Sequence, residues 1–438
     1  MSTVDESIQL KNRFWRLTAI NILSNLTVPL ASLVDTAMLG HLADIRFLAG
    51  VGLAAILFEY VYWSFGFLRM ATTGLTAQAQ GSGDRAELNR ILVRGLLTAL
   101  VLATVVLLLQ RLLENAGFGI LAGAQDVEAE GRLYFRARIL GAPATLANFV
   151  LLGWFLGRER SHYVLAMTLV ANVTNIALDY VFIMRMGLAA YGAGLATAIS
   201  QYAMLALAVA LLVPELRYLR LGLSGLFEAN KIKELFALNR DILIRTIALV
   251  SAFAIFLNFS AILGTVVLAA NTILVRIQTL AAYLIDGAAF ATETLAGKLQ
   301  GSGNRSGLRR LRRVAFSSGV LLSLPVILPM LIFPETFLGI LTNHGPTLAA
   351  AQRYSPWLVP AIVIGAFAYI YDGLFLGLTR GRTLRNAMVF STLAVFVPLA
   401  AYALHRQSNH LLWLAMVAFM TARTLTFFAA DRSLPEEL

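Results

Sequence analysis

Twelve long apolar stretches follow one another along this chain, and about 20 such residues suffice to cross a bilayer as a helix. They fall at about 14–40, 47–70, 91–113, 133–157, 163–184, 190–213, 242–264, 267–297, 311–333, 354–378, 386–404 and 411–430. These runs are much longer than the roughly 10-residue strands of a membrane barrel. Because 58% of the 438 residues are hydrophobic and 13% charged, the composition excludes a soluble enzyme and a disordered chain. We predict an all-α integral membrane protein with twelve transmembrane helices.

The basic residues predict the orientation of these helices. Of the 35 lysines and arginines, 23 lie between spans or near span ends on the side that holds both termini, and 8 lie in such positions on the other side. Cytoplasmic loops carry the excess of basic residues, so we expect a multi-pass protein of the cell inner membrane with cytoplasmic N- and C-termini. The basic run 307–313 is then a cytoplasmic anchor rather than a nucleic-acid patch. The polar start, up to about Arg13, predicts no cleaved signal peptide.

The chain also repeats itself at half its length. The sequence QGSGD (80–84) recurs as QGSGN (300–304), and a Gly-x-Phe-Leu-Gly motif at 153–157 recurs at 373–377. Six spans in each half give the two halves the same orientation, as in many secondary transporters whose lobes rock about a central cleft. We predict an N-terminal six-helix lobe (1–213), a cytoplasmic linker (214–240) and a C-terminal six-helix lobe (241–438). A fused dimer with a purely structural repeat is the alternative.

Polar side chains in the fifth span form the most informative cluster. Asn172, Asn175 and Asp179 follow one another at i, i+3 and i+7, so they share one helical face. Thr197 follows in a small-residue stretch of the sixth span. A charge in the bilayer centre costs about 2.5–3.5 kcal/mol on insertion scales, which makes such acids functional candidates, with structural hydrogen bonding as the alternative.

A second acid of the first lobe stands beyond a proline. Asp35 follows Pro29 by six residues in the first span, where a proline bends a helix. At the repeat offset of 220, Asp179 corresponds to Leu399, and an alignment of Leu39-Gly40 with Leu263-Gly264 places Phe259 opposite Asp35. The first lobe is therefore the predicted coupling-ion site, and Pro29 is its predicted hinge. Two neighbouring desolvated acids can hold a proton between them. The same oxygens could bind Na⁺; we favour H⁺.

The acids of the second lobe are arranged differently. Asp286 and Glu293 lie seven residues apart on one face of the eighth span, and Asp372 lies in the tenth span. Glu59, in the second span, is an isolated acid for which we favour a structural role. The chain has no cysteine, no P-loop and no histidine pattern typical of a metal site. We therefore expect no enzyme activity, no cofactor and no metal apart from the possible Na⁺.

Six motifs together are similar to those of the multidrug and toxic compound extrusion (MATE) family, in its DinF-like branch. They are NLTVPLASLVDTAMLGHL (25–42), FLRMATTGLTAQAQG (67–81), LANFVLLGWFLG (146–157), NVTNIALDYVFI (172–183), GAGLATAISQY (192–202) and DGAAFATETLAG (286–297). The resemblance implies two six-helix lobes in a V and cation-coupled antiport. The implied activity is export of amphipathic, often cationic compounds in exchange for H⁺ or Na⁺. A lipid or polysaccharide-precursor flippase of the wider superfamily is the alternative, and a channel a more distant one.

The resemblance also implies roles for individual residues. The family's first-lobe cation site matches Asp35, Asn175, Asp179 and Thr197. The residues that it assigns to substrate are Asn148, Asp286, Glu293 and Asp372. The NorM-like branch has an acid in its seventh span, which the stretch 242–268 lacks. We expect partners to be small molecules and the lipid bilayer, no nucleic acid, and a monomeric chain.

Overall fold

The structure is a computed structural model that describes residues 3–42, 44–121, 124–216 and 225–432. Across these ranges the chain is helical almost throughout, and they contain no β-strand. In a bilayer a helix satisfies its backbone hydrogen bonds within one segment, which is why long apolar stretches fold this way. The predicted all-α fold class is confirmed.

Nine α-helices form the first half of the described chain. They are α1 (Thr3–Gly40), α2 (Arg46–Ser64), α3 (Phe67–Ser82), α4 (Arg85–Leu108), α5 (Gln110–Ile120), α6 (Gln125–Arg138), α7 (Ala142–Gly157), α8 (Ser161–Asp179) and α9 (Ala189–Leu216). A 3₁₀ turn, Ile139–Gly141, joins α6 to α7, and a π-helical turn, Tyr180–Arg185, directly follows α8.

The second half of the described chain contributes another nine α-helices. They are α10 (Ala229–Ile262), α11 (Thr265–Gly301), α12 (Arg305–Ile332), α13 (Pro334–Gly339), α14 (Gly345–Tyr354), α15 (Leu358–Gly377), α16 (Gly381–Phe390), α17 (Val397–His405) and α18 (Asn409–Arg432). A 3₁₀ turn, Ser355–Trp357, precedes α15, and a π-helical turn, Ser391–Phe396, separates α16 from α17.

Eleven helical segments of the described residues are long and apolar enough to cross a membrane. They coincide with the second to twelfth predicted spans. The first predicted span, 14–40, lies in the 38-residue α1, and its residues 28 and 30–33 fall outside the described side chains. Large apolar side chains such as Leu100 and Leu108 of α4 are exposed, as expected of a face turned to lipid.

The repeated QGSG motif ends one helix and starts the next in both halves. Gly83 and Gly303 have φ of 75° and 65°, a left-handed conformation that favours glycine at the end of a helix. Asp84 then caps α4 by accepting from the Glu87 amide at 2.9 Å, and Asn304 caps α12 by accepting from the Gly307 amide at 2.8 Å. The motif is therefore a tight helix-to-helix connection used twice.

The second repeated motif is a site of close helix packing. Any Cβ at Gly153 would collide with the Arg69 carbonyl of α3, and any Cβ at Gly373 would collide with the Ala289 carbonyl of α11. Gly157 and Gly377, the last glycines of the two motifs, contact the same two helices one turn further along. Helix α7 therefore packs on α3 in the same way as α15 packs on α11. Small residues allow this close approach of helix backbones.

The contacts divide the chain into two compact units. The N-terminal unit is Leu23–Ile232, and the C-terminal unit combines Met1–Ile22 with Lys233–Leu438. The first turns of α1 belong to the C-terminal unit. Phe14 and Leu17 are buried there, and Asn21 donates to the Gly287 carbonyl at 3.3 Å.

The predicted boundaries at 213 and 241 differ from these units in two ways. Residues before Leu23 pack with the C-terminal half, and α10 already begins at Ala229, inside the predicted linker 214–240. Residues 217–224 of that linker lie outside the described residues.

Candidate functional site

The N-terminal unit contains a buried pair of acids. Asp35 of α1 and Asp179, the last residue of α8, lie within hydrogen-bonding distance of each other through their side chains. Asp179 is 0% exposed, and Asn175 donates its amide to Asp179 Oδ2 at 2.9 Å. The Oδ1 atoms of both acids are buried without a donor among the described residues. A hydrogen bond between two carboxyl groups requires a proton on one of them, so two acids this close together can share a proton.

The helix that carries Asp179 changes its winding directly after this acid. The π-helical turn Tyr180–Arg185 begins at the next residue, and such turns are frequent at functional sites. Asn172, Asn175 and Asp179 occupy one side of α8, where Asn175 and Asp179 are buried and Asn172 is half-buried. The amide nitrogen of Asn172 is buried without an acceptor among the described residues. The predicted stripe is thus present, and its carboxyl and amide oxygens are the atoms that could hold a cation.

An arginine interacts with one acid of this pair. Arg138, at the end of α6, interacts electrostatically with Asp35. Its guanidinium carbon lies 4.4 Å from the ring centroid of Phe58, 5.6 Å from that of Tyr134 and 5.8 Å from that of Tyr62. It also donates to the Tyr134 hydroxyl at 2.9 Å. The site therefore combines two acids with one permanent cation held against aromatic rings.

Two other predicted residues of this unit form their hydrogen bonds elsewhere. Thr197 is half-buried and donates to the Ala193 carbonyl of its own helix at 2.9 Å. Asn148 is 1% exposed and donates to the backbone carbonyl of Gln201 in α9 at 2.9 Å. The structure thus brings Asp35, Asn175 and Asp179 together, whereas these hydrogen bonds of Thr197 and Asn148 tie them to α9.

Pro29 lies inside α1, which runs from Thr3 to Gly40. The helix continues through the proline and places Asp35 about 1.7 turns further on. A proline in this position lacks a backbone donor and crowds the preceding turn. Its role as a hinge remains a prediction.

The C-terminal unit has a buried ion triad in place of an acid pair. Asp372 of α15 accepts at Oδ2 from Arg423 of α18, at 2.7 Å, and from Arg245 of α10. Arg423 is 0% exposed, and the other two side chains are also buried. A single carboxylate therefore joins three helices. The predicted substrate-binding acid Asp372 is already occupied by two guanidinium groups, which is the usual arrangement for a charge inside a membrane protein.

The other acids of this unit lie on α11. Asp286 is half-buried and, like the ion triad, is an electrostatic neighbour of Tyr369 in α15. With Asp286 included, the two negative charges of the acids equal the two positive charges of Arg245 and Arg423 around Tyr369. Glu293 is 0% exposed, seven residues further along α11, and its backbone carbonyl packs against Gly377. The shared face predicted for Asp286 and Glu293 thus turns towards α15.

Sequence reasoning missed Arg138, Arg245 and Arg423. All three lie in apolar segments, where charged side chains usually pair with one another. That pairing rule, applied to arginines as well as to acids, could have linked Arg245 and Arg423 to Asp372. Arg138 was harder to find, because it stands at the end of a helix and was counted among residues between spans.

Comparisons with known proteins identify the family. The MatE family model matches residues 21–181 and again 242–402, once in each half. The chain is 36% identical to DNA damage-inducible protein F of Escherichia coli (strain K12) over 423 residues, which cover 95% of this chain and 91% of that protein.

Solved structures share the fold. A transporter of the MOP superfamily from Pyrococcus furiosus superposes with a TM-score of 0.88 at 21% identity, covering 97% of this chain and 95% of its own. A multidrug resistance MATE transporter in an outward-facing conformation superposes with a TM-score of 0.87 at 21% identity and the same coverage. With a family model matched in both halves and a relative that is similar over nearly its whole length, this chain belongs to the MATE family of multidrug efflux transporters, which are membrane transporters rather than enzymes.

Proposed function

We propose that this protein is a secondary antiporter that exports amphipathic, cationic compounds in exchange for H⁺. The observation that carries this proposal is the contact between Asp35 and Asp179, each with one carboxyl oxygen buried without a donor. Such a pair changes its charge when it gains or loses one proton. A transporter can use that change because an ion shifts a conformational equilibrium only by binding two conformations unequally.

Na⁺ is the alternative coupling ion. The oxygens of Asp35, Asp179 and Asn175 form a set of hard ligands of the kind that cations such as Na⁺ prefer. Asn172 lies on the same side of α8, and the Thr197 hydroxyl, which donates to the Ala193 carbonyl, keeps oxygen lone pairs that a cation can use.

The acids of the C-terminal unit support a cationic substrate. Asp286 and Glu293 place two carboxyl groups in an apolar helix, where the attraction of an acid for a cation is stronger than in water. Asp372 is less able to bind a cationic substrate, because Arg245 and Arg423 already donate to one of its oxygens. We therefore assign substrate binding to Asp286 and Glu293 before Asp372 and Asn148.

We further propose that the protein works as a monomer in the cell inner membrane with both termini in the cytoplasm. The basic residues support this orientation, since those between spans are concentrated on the side of the termini. Accessibility labelling of single cysteines introduced near each terminus of the cysteine-free chain tests it directly.

Purified protein in proteoliposomes provides the central experiment. A pH gradient and a Na⁺ gradient are imposed separately at fixed membrane potential, and the flux of an amphipathic cation is followed. We expect flux driven by the pH gradient. Flux driven by Na⁺ alone would reverse the choice of ion, and substrate flux that ignores both gradients would contradict the antiport proposal.

A further inference from the structure

We propose that Arg309 and Arg313 of α12 bind the phosphate group of an anionic phospholipid. Both belong to the basic run 307–313, for which the sequence indicates only a cytoplasmic anchor. The structure divides the arginines of this run into two that pair with acids of other helices and two that face outwards. In the proposed orientation of the chain, the bound lipid belongs to the cytoplasmic leaflet.

One face of α12 is exposed along nearly the whole helix. It comprises positions 309, 313, 317, 321, 325, 328 and 332, which follow one another by four or three residues and therefore form one stripe. Leu321, Leu328 and Ile332 of this stripe are exposed, as expected of side chains turned to lipid. Arg309 and Arg313, which we call the exposed arginines, continue the same stripe at its other end.

The length of the stripe places the exposed arginines at the level of lipid headgroups. At a rise of 1.5 Å per residue, Arg313 and Ile332 are separated by about 29 Å along the helix, close to the thickness of the hydrocarbon core. Arg309 lies about 6 Å further out, one turn away. Because long basic side chains near the end of a membrane helix extend to the interface, both guanidinium groups can reach lipid phosphates.

The arginines on either side of this pair are held by acids of neighbouring helices. Arg310 donates to Glu6 of α1 at 2.9 Å, and Arg312 pairs with Asp431 of α18 at 2.7 Å. At 100° per residue, the exposed arginines lie between these two on the circumference of α12. They form no ion pair with an acid in the part of the chain that the structure describes. Their two positive charges are therefore not compensated within that part of the chain.

The first repeat indicates that helix packing does not require these two charges. At the offset of 220, Arg309 and Arg313 correspond to Asn89 and Val93 of α4. Asn89 is buried and Val93 is half-buried, so the equivalent surface of α4 is covered by protein. The second repeat instead leaves this surface open and places two guanidinium groups on it, which favours a partner from outside the chain.

A phospholipid with a net negative charge fits this surface. A guanidinium group matches the geometry of phosphate oxygens, and two such groups one turn apart can donate to the same phosphate. The acyl chains of the lipid would lie along the exposed apolar residues of the stripe. Two positive charges without an acid attract an anionic lipid more strongly than a zwitterionic one. A free phosphate ion could use the arginines, but it would gain nothing from the apolar part.

The test measures phospholipid binding to the purified full-length protein by native mass spectrometry. The probes are phosphatidylglycerol and phosphatidylcholine, titrated separately into the protein in detergent. We expect the wild type to bind phosphatidylglycerol more tightly than phosphatidylcholine. The double variant Arg309→Gln, Arg313→Gln should lose about 25-fold in affinity for phosphatidylglycerol, because each basic residue near an anionic lipid contributes a factor of about five. Its affinity for phosphatidylcholine should not change.

Two further double variants separate the position of the charges from their number. Arg309→Lys, Arg313→Lys keeps both charges and should stay within about threefold of the wild type. Arg353→Gln, Arg406→Gln removes two exposed arginines of the same unit from the other side of the predicted spans. It changes the net charge by the same amount and should bind phosphatidylglycerol as the wild type does.

Several results would overturn the inference. One is equal affinity of the wild type and of Arg309→Gln, Arg313→Gln for phosphatidylglycerol. Another is displacement of the lipid by inorganic phosphate at the same concentration, which would show a site for a free anion. If the double glutamine variant does not fold, the single variants decide, since each should lose about fivefold in affinity and no loss in either one contradicts the proposal.

The outcomes are independent of the proposed antiport. Lipid binding is measured without any gradient, so flux that ignores both H⁺ and Na⁺ would contradict antiport and leave the lipid site in place. Cysteine labelling that placed the termini outside the cytoplasm would change the leaflet of the lipid but not the site. Conversely, an unchanged lipid affinity in the glutamine variants would remove this site and leave the proposed transport activity untouched.

Discussion

The two units of the molecule use the same helix packing but treat their buried acids in opposite ways. In the N-terminal unit, Asp35 and Asp179 touch each other and keep oxygens without donors among the described residues. In the C-terminal unit, Asp372 gives one oxygen to both Arg245 and Arg423. The glycine motifs that pack α7 on α3 and α15 on α11 are shared, so the difference lies in side-chain charge rather than in architecture.

This difference indicates which unit can respond to an ion. A carboxylate already neutralised by two permanent cations gains little from a proton, because its charge is compensated at every pH of interest. The net charge of two carboxylates and one arginine is −1, and the binding of one proton brings this net charge to zero. We therefore expect the N-terminal unit to change conformation with ion binding and the ion triad to hold α10, α15 and α18 together throughout.

The largest effect should follow from breaking the triad. Asp372→Leu copies Leu152, which stands at the corresponding position of the first repeat, and leaves two buried arginines without their shared carboxylate. Removing one partner of a buried ion pair costs about 3–5 kcal/mol of stability. The midpoint of thermal unfolding in detergent, followed by the intrinsic fluorescence of the five tryptophans, which include the buried Trp413, should fall well below that of the wild type.

A matched variant tests whether charge is the cause. Replacing Asp372, Arg245 and Arg423 together by leucine removes all three charges and should recover much of the loss, since apolar replacement of a whole buried ion cluster is often neutral. An Asp372→Leu protein as stable as the wild type would show that the triad does not hold these helices together.

The next effect concerns transport rather than stability. Asp35→Asn and Asp179→Asn each remove one member of the proposed proton-binding pair, so ion binding should no longer distinguish two conformations. Gradient-driven export should fall at least about 100-fold while the protein still folds and inserts. Glu59→Gln, which removes an exposed acid of α2, is the control and should export normally. Wild-type export by either pair variant would make that acid structural.

Much of the fold could be predicted from the sequence because membrane helices must be long and apolar. The internal repeat could also be predicted from the sequence. In the structure, Asp84 and Asn304 cap equivalent helices, and close contact between helix backbones requires the repeated glycines. The first turns of α1 were not predictable in this way, because the burial of Phe14 and Leu17 against the C-terminal half depends on tertiary packing that no local pattern records.

The candidate site was predictable only in part. Asn175 and Asp179 share a face by helical spacing alone, and the structure joins them at 2.9 Å. The contact of Asp179 with Asp35, about 140 residues away, needed the resemblance to a family. Partners of an arginine are set by the three-dimensional packing of helices, so the roles of Arg138 and Arg423 could not be read from spacing.

A smaller effect should separate the acids of α11 from the coupling pair. Asp286→Asn and Glu293→Gln should weaken the binding of cationic substrates about tenfold, since each removes an attractive charge from an apolar setting. Their response to the pH gradient should remain. Binding titrations with several cationic compounds measure this, and Glu335→Gln, at an exposed acid of the same unit, serves as the control. Unchanged affinity for all of the compounds would remove these acids from the substrate site.

The smallest effect should come from Pro29, which tests whether the N-terminal unit moves through α1. Pro29→Ala restores a backbone donor inside a helix that already runs through this position, so the variant should fold normally and keep its acid pair. If α1 bends at Pro29 during transport, alanine favours the straight helix by a fraction of a kcal/mol up to about 1 kcal/mol, and turnover should fall about threefold. Proton binding should not change, because Asp35 and Asp179 are intact. The measurement compares the initial rate of pH-driven flux with the number of protons bound per molecule. A rate equal to that of the wild type would contradict a bend of α1 at Pro29 during transport and would leave charge as the difference between the two units.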